Sequence, residues 1–192
     1  MITLVDNRDS FTYNLVQALQ GLGAEVSVLD SFAADAGETL GASGVIVGPG
    51  PGQPGAAGCS EAIFRLAAAR QDAPPVLGIC LGHQALGSSF GARIRGATEL
   101  VHGAVRPIHH DGDGVLYGLP TPFPMARYNS LVVDEVGLPE ELIVTARTED
   151  GDVAGLRHAT RPLFGLQGHP ESILCAEGGA TVFRNFLGRC HR

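Results

Sequence analysis

Between Ile2 and Phe90 the chain alternates short apolar runs with amphipathic stretches, and this rhythm constrains its fold more than any other feature. MITLVD, AEVSVLD, GVIV and PPVLGIC read as strands, while SFTYNLVQALQGLG, SEAIFRLAAARQ and HQALGSSF carry apolar residues at helical spacing. In the first of these helices Phe11, Leu15, Ala18, Leu19 and Leu22 form the apolar stripe, Ser10 is the expected N-cap, and Gly21 and Gly23 end it. Strands separated by helices pair in parallel through crossovers, and ligands on such sheets sit beyond the carboxyl ends of the strands. Three loops at such ends therefore matter: residues 6–10, 48–55 and 78–84.

From Ala92 to Val136 the texture changes. ARIRGA, GAVRPIHHD, GVLYGL and NSLVVDE are short β-rich pieces between Gly, Pro and Asp turns, which predicts an antiparallel extension of the sheet. ELIVTARTE, VAGLRHA and PLFGLQ predict three more strands, and a closing helix is expected near Gly179 to Leu187. The expected fold is α/β: a single domain over residues 1–192 with a mostly parallel central sheet flanked by helices, an antiparallel extension and a cysteine elbow at its centre. At 192 residues with 44% hydrophobic content, the chain holds enough apolar material for one substantial core.

Charge narrows the function. A formal net charge of -7 argues against a nucleic-acid or anionic-membrane surface, both of which need concentrated positive charge. All 13 basic residues are arginine, so lysine Schiff-base, pyridoxal-phosphate and P-loop chemistry are excluded. MITLVDNRDS turns polar after five residues, and no apolar run reaches the length of a membrane span, so a cytoplasmic location is expected. Cys59, Cys80, Cys175 and Cys190 lack CxxC spacing, which speaks against disulfides and a cysteine zinc site. His109, His110 and Asp111 are adjacent along an expected strand and so point to alternate faces; no metal is expected there.

Gly78-Ile79-Cys80-Leu81-Gly82 follows a strand and precedes a helix, the G-x-nucleophile-x-G pattern with cysteine in the serine position. Flanking glycines allow the sharp turn, and the helix N-terminus favours a thiolate. The plain alternative is a buried cysteine between packing glycines. A thiol nucleophile needs a base, and Gly168-His169-Pro170-Glu171 supplies one at the end of another apolar run. On an extended backbone residues i and i+2 share a face, so Glu171 can accept from His169 and fix its tautomer. Val47-Gly48-Pro49-Gly50-Pro51-Gly52 ends the GVIV strand, and its stiff, N–H-rich loop suits an oxyanion or carboxylate.

Taken together and in this order, Gly50-Pro51-Gly52, GICLGHQ around Cys80 and HPES around His169 resemble the class I glutamine amidotransferases. DNRDSFTYNLVQ, PGPGQPGAAG, CLGHQALGSSFGA, HDGDGVLYGL, RYNSLVV and HPESIL are similar to the branch serving as glutaminase subunits of anthranilate synthase and 4-amino-4-deoxychorismate synthase. The resemblance implies that Cys80 attacks the glutamine amide, His169 shuttles the proton and Glu171 orients His169. It also implies oxyanion N–H groups at Gly50 and Leu81, and contacts to the glutamine α-amino and α-carboxylate from Gln84, Ser130 and Leu131, with Pro51 and Gly52 in the same loop. No cofactor is implied. The implied partners are L-glutamine and a chorismate-binding synthase subunit, whose product would be anthranilate, or alternatively 4-amino-4-deoxychorismate or 2-amino-2-deoxyisochorismate.

The family usually has tyrosine where Arg8 stands, serine at Gly48, lysine at Ala104, histidine at Asn129 and phenylalanine at Gly168. Glycine beside His169 is expected to remove packing and loosen the base. Arg8 and Ala104 fall in loops that, by the same resemblance, approach the synthase. Two other classes of function share these motifs: a non-catalytic binding subunit that keeps the fold, and a cysteine hydrolase acting alone.

Overall fold

The computed structural model describes residues 1–190. Its frame is a nine-stranded sheet. β1 (Ile2–Asp6), β2 (Val26–Asp30), β3 (Gly44–Val47), β4 (Val76–Ile79) and β11 (Leu163–Leu166) run parallel as neighbours in the order β2-β1-β3-β4-β11. β10 (Val153–His158), β9 (Leu142–Thr148), β6 (Ala104–His110) and β7 (Phe123–Arg127) continue the sheet as antiparallel pairs. A separate two-stranded sheet pairs β5 (Ile94–Gly96) with β8 (Leu131–Val133).

Alternation along each parallel strand feeds two apolar layers. Leu4, Ile46, Leu77 and Ile79 pack with Leu15 and Leu19 of α1 (Thr12–Gly21) and with Val182, Phe183 and Phe186 of α5 (Ala176–Leu187). Val5, Val45, Val47 and Val76 point the other way, onto Ile63 and Phe64 of α3 (Ser60–Ala69) and Ala85 and Leu86 of α4 (Leu81–Ser89). One face per residue parity is what a pleated strand dictates, and burial on both faces explains the unbroken apolar runs. A four-residue helix, α2 (Ala36–Thr39), is capped by Asp35, whose side chain accepts from Glu38 N–H.

Three local expectations change. The first helix starts at Thr12 with Phe11 at the N-cap position and no side-chain cap. Ser10 is exposed and Asp6 takes over the anchoring role, its Oδ1 accepting from the Thr12 hydroxyl at 2.6 Å. GVLYGL forms a single 3-10 turn, Gly114–Leu116, because Asp113 caps it and Val115 and Leu116 are both buried, which a half-exposed strand does not permit. β7 gave no strand signal because Pro124 interrupts it; the strand lies at the sheet edge, where a missing N–H costs no ladder bond.

The elbow between β4 and α4 depends on close backbone packing. A Cβ at Gly78 would lie 2.3 Å from the Gly82 carbonyl oxygen, and one at Gly82 would lie 2.1 Å from the Val47 carbonyl oxygen. Both obstacles are backbone, so neither can swing aside. Gly82→Ala is therefore expected to push α4 off β3 and destabilise the protein by about 1–3 kcal/mol, measured by thermal unfolding. An unchanged melting temperature would contradict this account of the elbow.

Candidate active site

Cys80 sits where β4 ends and α4 begins, held at φ 53° and ψ -103°. That left-handed backbone is strained for a residue with a Cβ, and such strain persists only where neighbours fix it. Here the Cys80 N–H is tied to the Leu166 carbonyl of β11 at 2.9 Å and its carbonyl accepts from Gln84 N–H at 3.1 Å. The sulfur thus stands at the N-terminus of α4, at the positive end of the helix dipole.

β11 is the parallel neighbour of β4, with Leu166 opposite Ile79. The loop following β11 therefore opens beside the loop following β4, and it carries His169 and Glu171. His169 is 2% exposed and Glu171's carboxylate is buried; Nδ1 and Oε1 lie 2.6 Å apart. The pair forms in a turn, closed by Ser172 N–H to the His169 carbonyl at 3.1 Å, and not on the extended backbone expected from the spacing. The contact is the expected one, made by different local geometry. With its proton on Nδ1 facing Glu171, neutral His169 leaves Nε2 as the basic nitrogen.

Nε2 is buried without a partner at hydrogen-bonding geometry, yet Cys80 is near enough to act on its titration. Burial drives His169 down, but Cys80 and Glu171 outweigh it and raise it to about 10. The arrangement favours an imidazolium beside the Cys80 sulfur. Two rings hold the imidazole in place: Phe11 and Tyr128, each with its centroid 5.1 Å away. The remaining thiols lack this setting. Burial pushes Cys175 and Cys190 up to about 11 and also raises Cys59.

Gly50 packs directly on Leu81: a Cβ on Gly50 would come within 2.8 Å of Leu81 Cδ2 and 2.5 Å of Asn7 Cβ. This holds the Gly50 loop against the start of α4, where Leu81 carries the first helical N–H, one that a helix leaves without an internal partner. Asn7 fixes the loop, donating to the Gly48 carbonyl and accepting from the Ser60 hydroxyl, both at 2.9 Å. Pro51 and Gly52 are exposed on the same loop. Gln84 is buried and donates to the Leu131 carbonyl at 3.0 Å, so α4 and the Ser130-Leu131 backbone meet next to the sulfur's strand.

Several neighbours carried no sequence signal. Gln167 is buried and its Nε2 lies 3.7 Å from Cys80 Sγ. Arg127 is buried too, donating through Nε to Asn129 Oδ1 at 3.1 Å. Met125 and Cys175 lie under His169, and the Cys175 thiol donates to the His169 carbonyl at 3.2 Å.

The expected looseness at Gly168 is absent. A Cβ there would lie 2.1 Å from Met125 Cγ and 2.9 Å from the Ala126 carbonyl oxygen, so the methionine already occupies the space. The next N–H, that of His169, is bonded to Ala126 O at 2.8 Å. Arg8 pairs with Asp30 at 3.1 Å and lies 4.4 Å over the Phe32 ring. Among the described residues no group of three His, Cys, Asp or Glu side chains is gathered for a metal. His110 instead donates from Nε2 to the Pro120 carbonyl at 2.9 Å and accepts the Gly112 N–H at Nδ1. No helix among these residues is long and apolar enough to cross a membrane.

Comparison with known proteins adds a second line. A family model for class-I glutamine amidotransferases matches residues 3–189. The chain is 48% identical over 191 residues to anthranilate synthase component 2 of Thermus thermophilus, covering 97% of this chain and 91% of that protein. It is 44% identical over 191 residues to aminodeoxychorismate synthase component 2 of Klebsiella aerogenes, covering 98% and 100%. Among solved structures, a protein described as a GMP synthase subunit from Thermoplasma acidophilum superposes with a TM-score of 0.86 at 25% identity, over 98% of this chain and 92% of that one.

Proposed function

Since this chain belongs to the class-I glutamine amidotransferases, we propose that it is the glutaminase subunit of a chorismate-using synthase, with anthranilate synthase the favoured assembly. The observation that carries this reading is the meeting of Cys80, at the end of β4, with a His169 clamped by Glu171 at 2.6 Å, at the end of the adjacent β11. It treats residues 1–192 as one amidotransferase domain working in the cytoplasm.

In this reading the Cys80 thiolate attacks the side-chain carbonyl carbon of glutamine. The oxyanion that forms is met by the N–H groups of Gly50 and Leu81. His169 gives its Nε2 proton to the departing nitrogen, ammonia leaves, and a γ-glutamyl thioester remains on Cys80. Water then attacks the thioester, giving its proton to His169, and glutamate is released with the thiolate restored. Gln84 and the Ser130-Leu131 backbone hold the amino-acid end of glutamine, and the Gly50-Pro51-Gly52 loop borders the site. The ammonia passes to the synthase subunit, which binds chorismate.

Cys80 is only 8% exposed, which keeps glutamine access to the free chain low and leaves room for the synthase to open the site. A glutamine-like electrophile is expected to label Cys80 ahead of Cys59, Cys175 and Cys190, read by peptide mass spectrometry. Glutamate release is expected to rise when the synthase is added. Label mainly on another cysteine would remove the nucleophile assignment, and equal rates with and without the synthase would favour a hydrolase acting alone.

A further inference from the structure

We propose that Gln167 is a positioning residue for the Cys80 sulfur, its carboxamide N–H turned toward that sulfur by hydrogen bonds that run back through Gln84 to the Leu131 carbonyl. The proposal deepens the glutaminase reading and rests on Cys80 being its nucleophile.

A carboxamide has an accepting and a donating side of nearly the same shape, so what Gln167 presents to sulfur is decided by its neighbours. Here two partners that cannot be reversed fix the polarity: Arg127 sets Asn129, and the Leu131 carbonyl sets Gln84. Arg127 has only donors, and its Nε lies 3.1 Å from Asn129, so the oxygen of Asn129 faces it. The nitrogen of Asn129 then donates to the Leu131 carbonyl at 3.1 Å. That carbonyl can only accept, and it also receives Gln84 Nε2 at 3.0 Å. The same nitrogen of Gln84 lies 3.2 Å from the Gln167 side chain. Two nitrogens would oppose donor to donor, so Gln167 turns its oxygen to Gln84, which leaves its Nε2 facing Cys80 Sγ at 3.7 Å.

A donor aimed at sulfur stabilises the thiolate more than the thiol and fixes the direction of its lone pairs. The strand geometry holds Gln167 in this position. Its N–H bonds the Ala154 carbonyl of β10 at 2.9 Å, while the preceding residue's carbonyl takes the Cys80 N–H. Gln84 and Leu131 are the groups assigned above to the amino-acid end of glutamine. A substrate that draws on either one acts on the chain that orients Gln167, which links the seating of glutamine to the state of the nucleophile.

The test is the pH dependence of Cys80 alkylation by iodoacetamide, followed on the Cys80 peptide by mass spectrometry. Gln167→Met keeps the length and removes the N–H; the alkylation midpoint is expected to rise by about one pH unit, a roughly tenfold slower reaction below the midpoint. Gln167→Glu places oxygen on sulfur and is expected to raise it further. With the synthase present, kcat for glutamine is expected to fall while KM moves little. A folded Gln167→Met protein with an unmoved midpoint would overturn the proposal. Should that variant fail to fold, Gln84→Met leaves Gln167 in place but frees its amide to turn, and an unmoved midpoint there overturns it equally. The alkylation shift in a chain that releases no glutamate under any condition would leave the chain of bonds standing and remove the glutaminase reading instead.

Discussion

Replacing Glu171 with glutamine is expected to lower kcat for glutamine hydrolysis by about 10²–10⁴-fold with little change in KM. The carboxylate accepts from His169 Nδ1 at 2.6 Å and its side chain is fully buried, so no water can take its place easily. A glutamine side chain fills the same volume. With its oxygen toward Nδ1 it keeps the tautomer but loses the charge that favours imidazolium. With its nitrogen toward Nδ1 it forces the proton to Nε2, and neutral His169 then has no lone pair facing the reaction. Either arrangement damages proton transfer and leaves glutamine binding largely alone.

The same substitution has a signature in pH. His169 is pulled down by burial and raised above its ordinary value by Cys80 and Glu171, to about 10. Without the Glu171 charge its titration midpoint, followed by NMR of the imidazole ring, is expected to fall. The stability consequence has a definite sign. A histidine whose folded value is raised contributes stability that is fully present below the unfolded value near 6.5 and is lost as pH climbs through the folded value. Wild type should therefore exceed Glu171→Gln in stability most clearly below about pH 6.5, with the gap narrowing toward pH 10. An unmoved ring titration would mean that Glu171 holds the ring without acting on its charge.

Much of this site is legible in the sequence because its parts announce themselves by spacing. Gly78 and Gly82 flank Cys80 where the motif suggests a sharp turn, but neither takes a positive φ; they are required because a Cβ would strike the backbone of Gly82 and Val47. The strand-helix rhythm places the loops after β1, β3 and β4 at one edge, and the family resemblance is matched by the class-I amidotransferase comparison. What escapes is what depends on distant segments meeting. Gln167 is one apolar-flanked amide among several until β11 lies beside β4, and only then does it face Cys80. Arg127 carries no signal in the sequence, yet it is buried, with its Nε donating to Asn129. Strand alternation predicts the His169-Glu171 contact, whereas a turn makes it, because Pro170 and the Ser172 N–H bend the chain there.

Gly168 shows most sharply how a local rule is overruled by a remote neighbour, and its replacement by phenylalanine is expected to harm the protein. β7 lies four places from β11 in the sheet order, but the loop after β11 reaches it through the His169 N–H bond to Ala126. That closure brings Met125 to within 2.1 Å of where the first carbon of any side chain at 168 would stand. Met125 is itself buried, with Cys175 Sγ 3.9 Å from its sulfur, and the second obstacle, the Ala126 carbonyl, is the one that anchors His169. A ring has no route past both. Gly168→Phe is expected to cost at least the upper end of the usual ~1–3 kcal/mol for overpacking, and to lower turnover by displacing His169. In a chain of this size that corresponds to a fall in melting temperature of roughly 2–4 °C per kcal/mol. The decisive measurement is the double variant. Met125→Ala alone opens a cavity and should cost about 2–5 kcal/mol. Combined with Gly168→Phe, the ring fills the space the methionine leaves, so the pair should be more stable than the two separate losses predict, with a coupling of about 0.5–3 kcal/mol. Additive losses would show that Met125 is not what excludes the ring. A Gly168→Phe protein of unchanged melting temperature and higher turnover would restore the opposite view, in which glycine leaves the base loosely held.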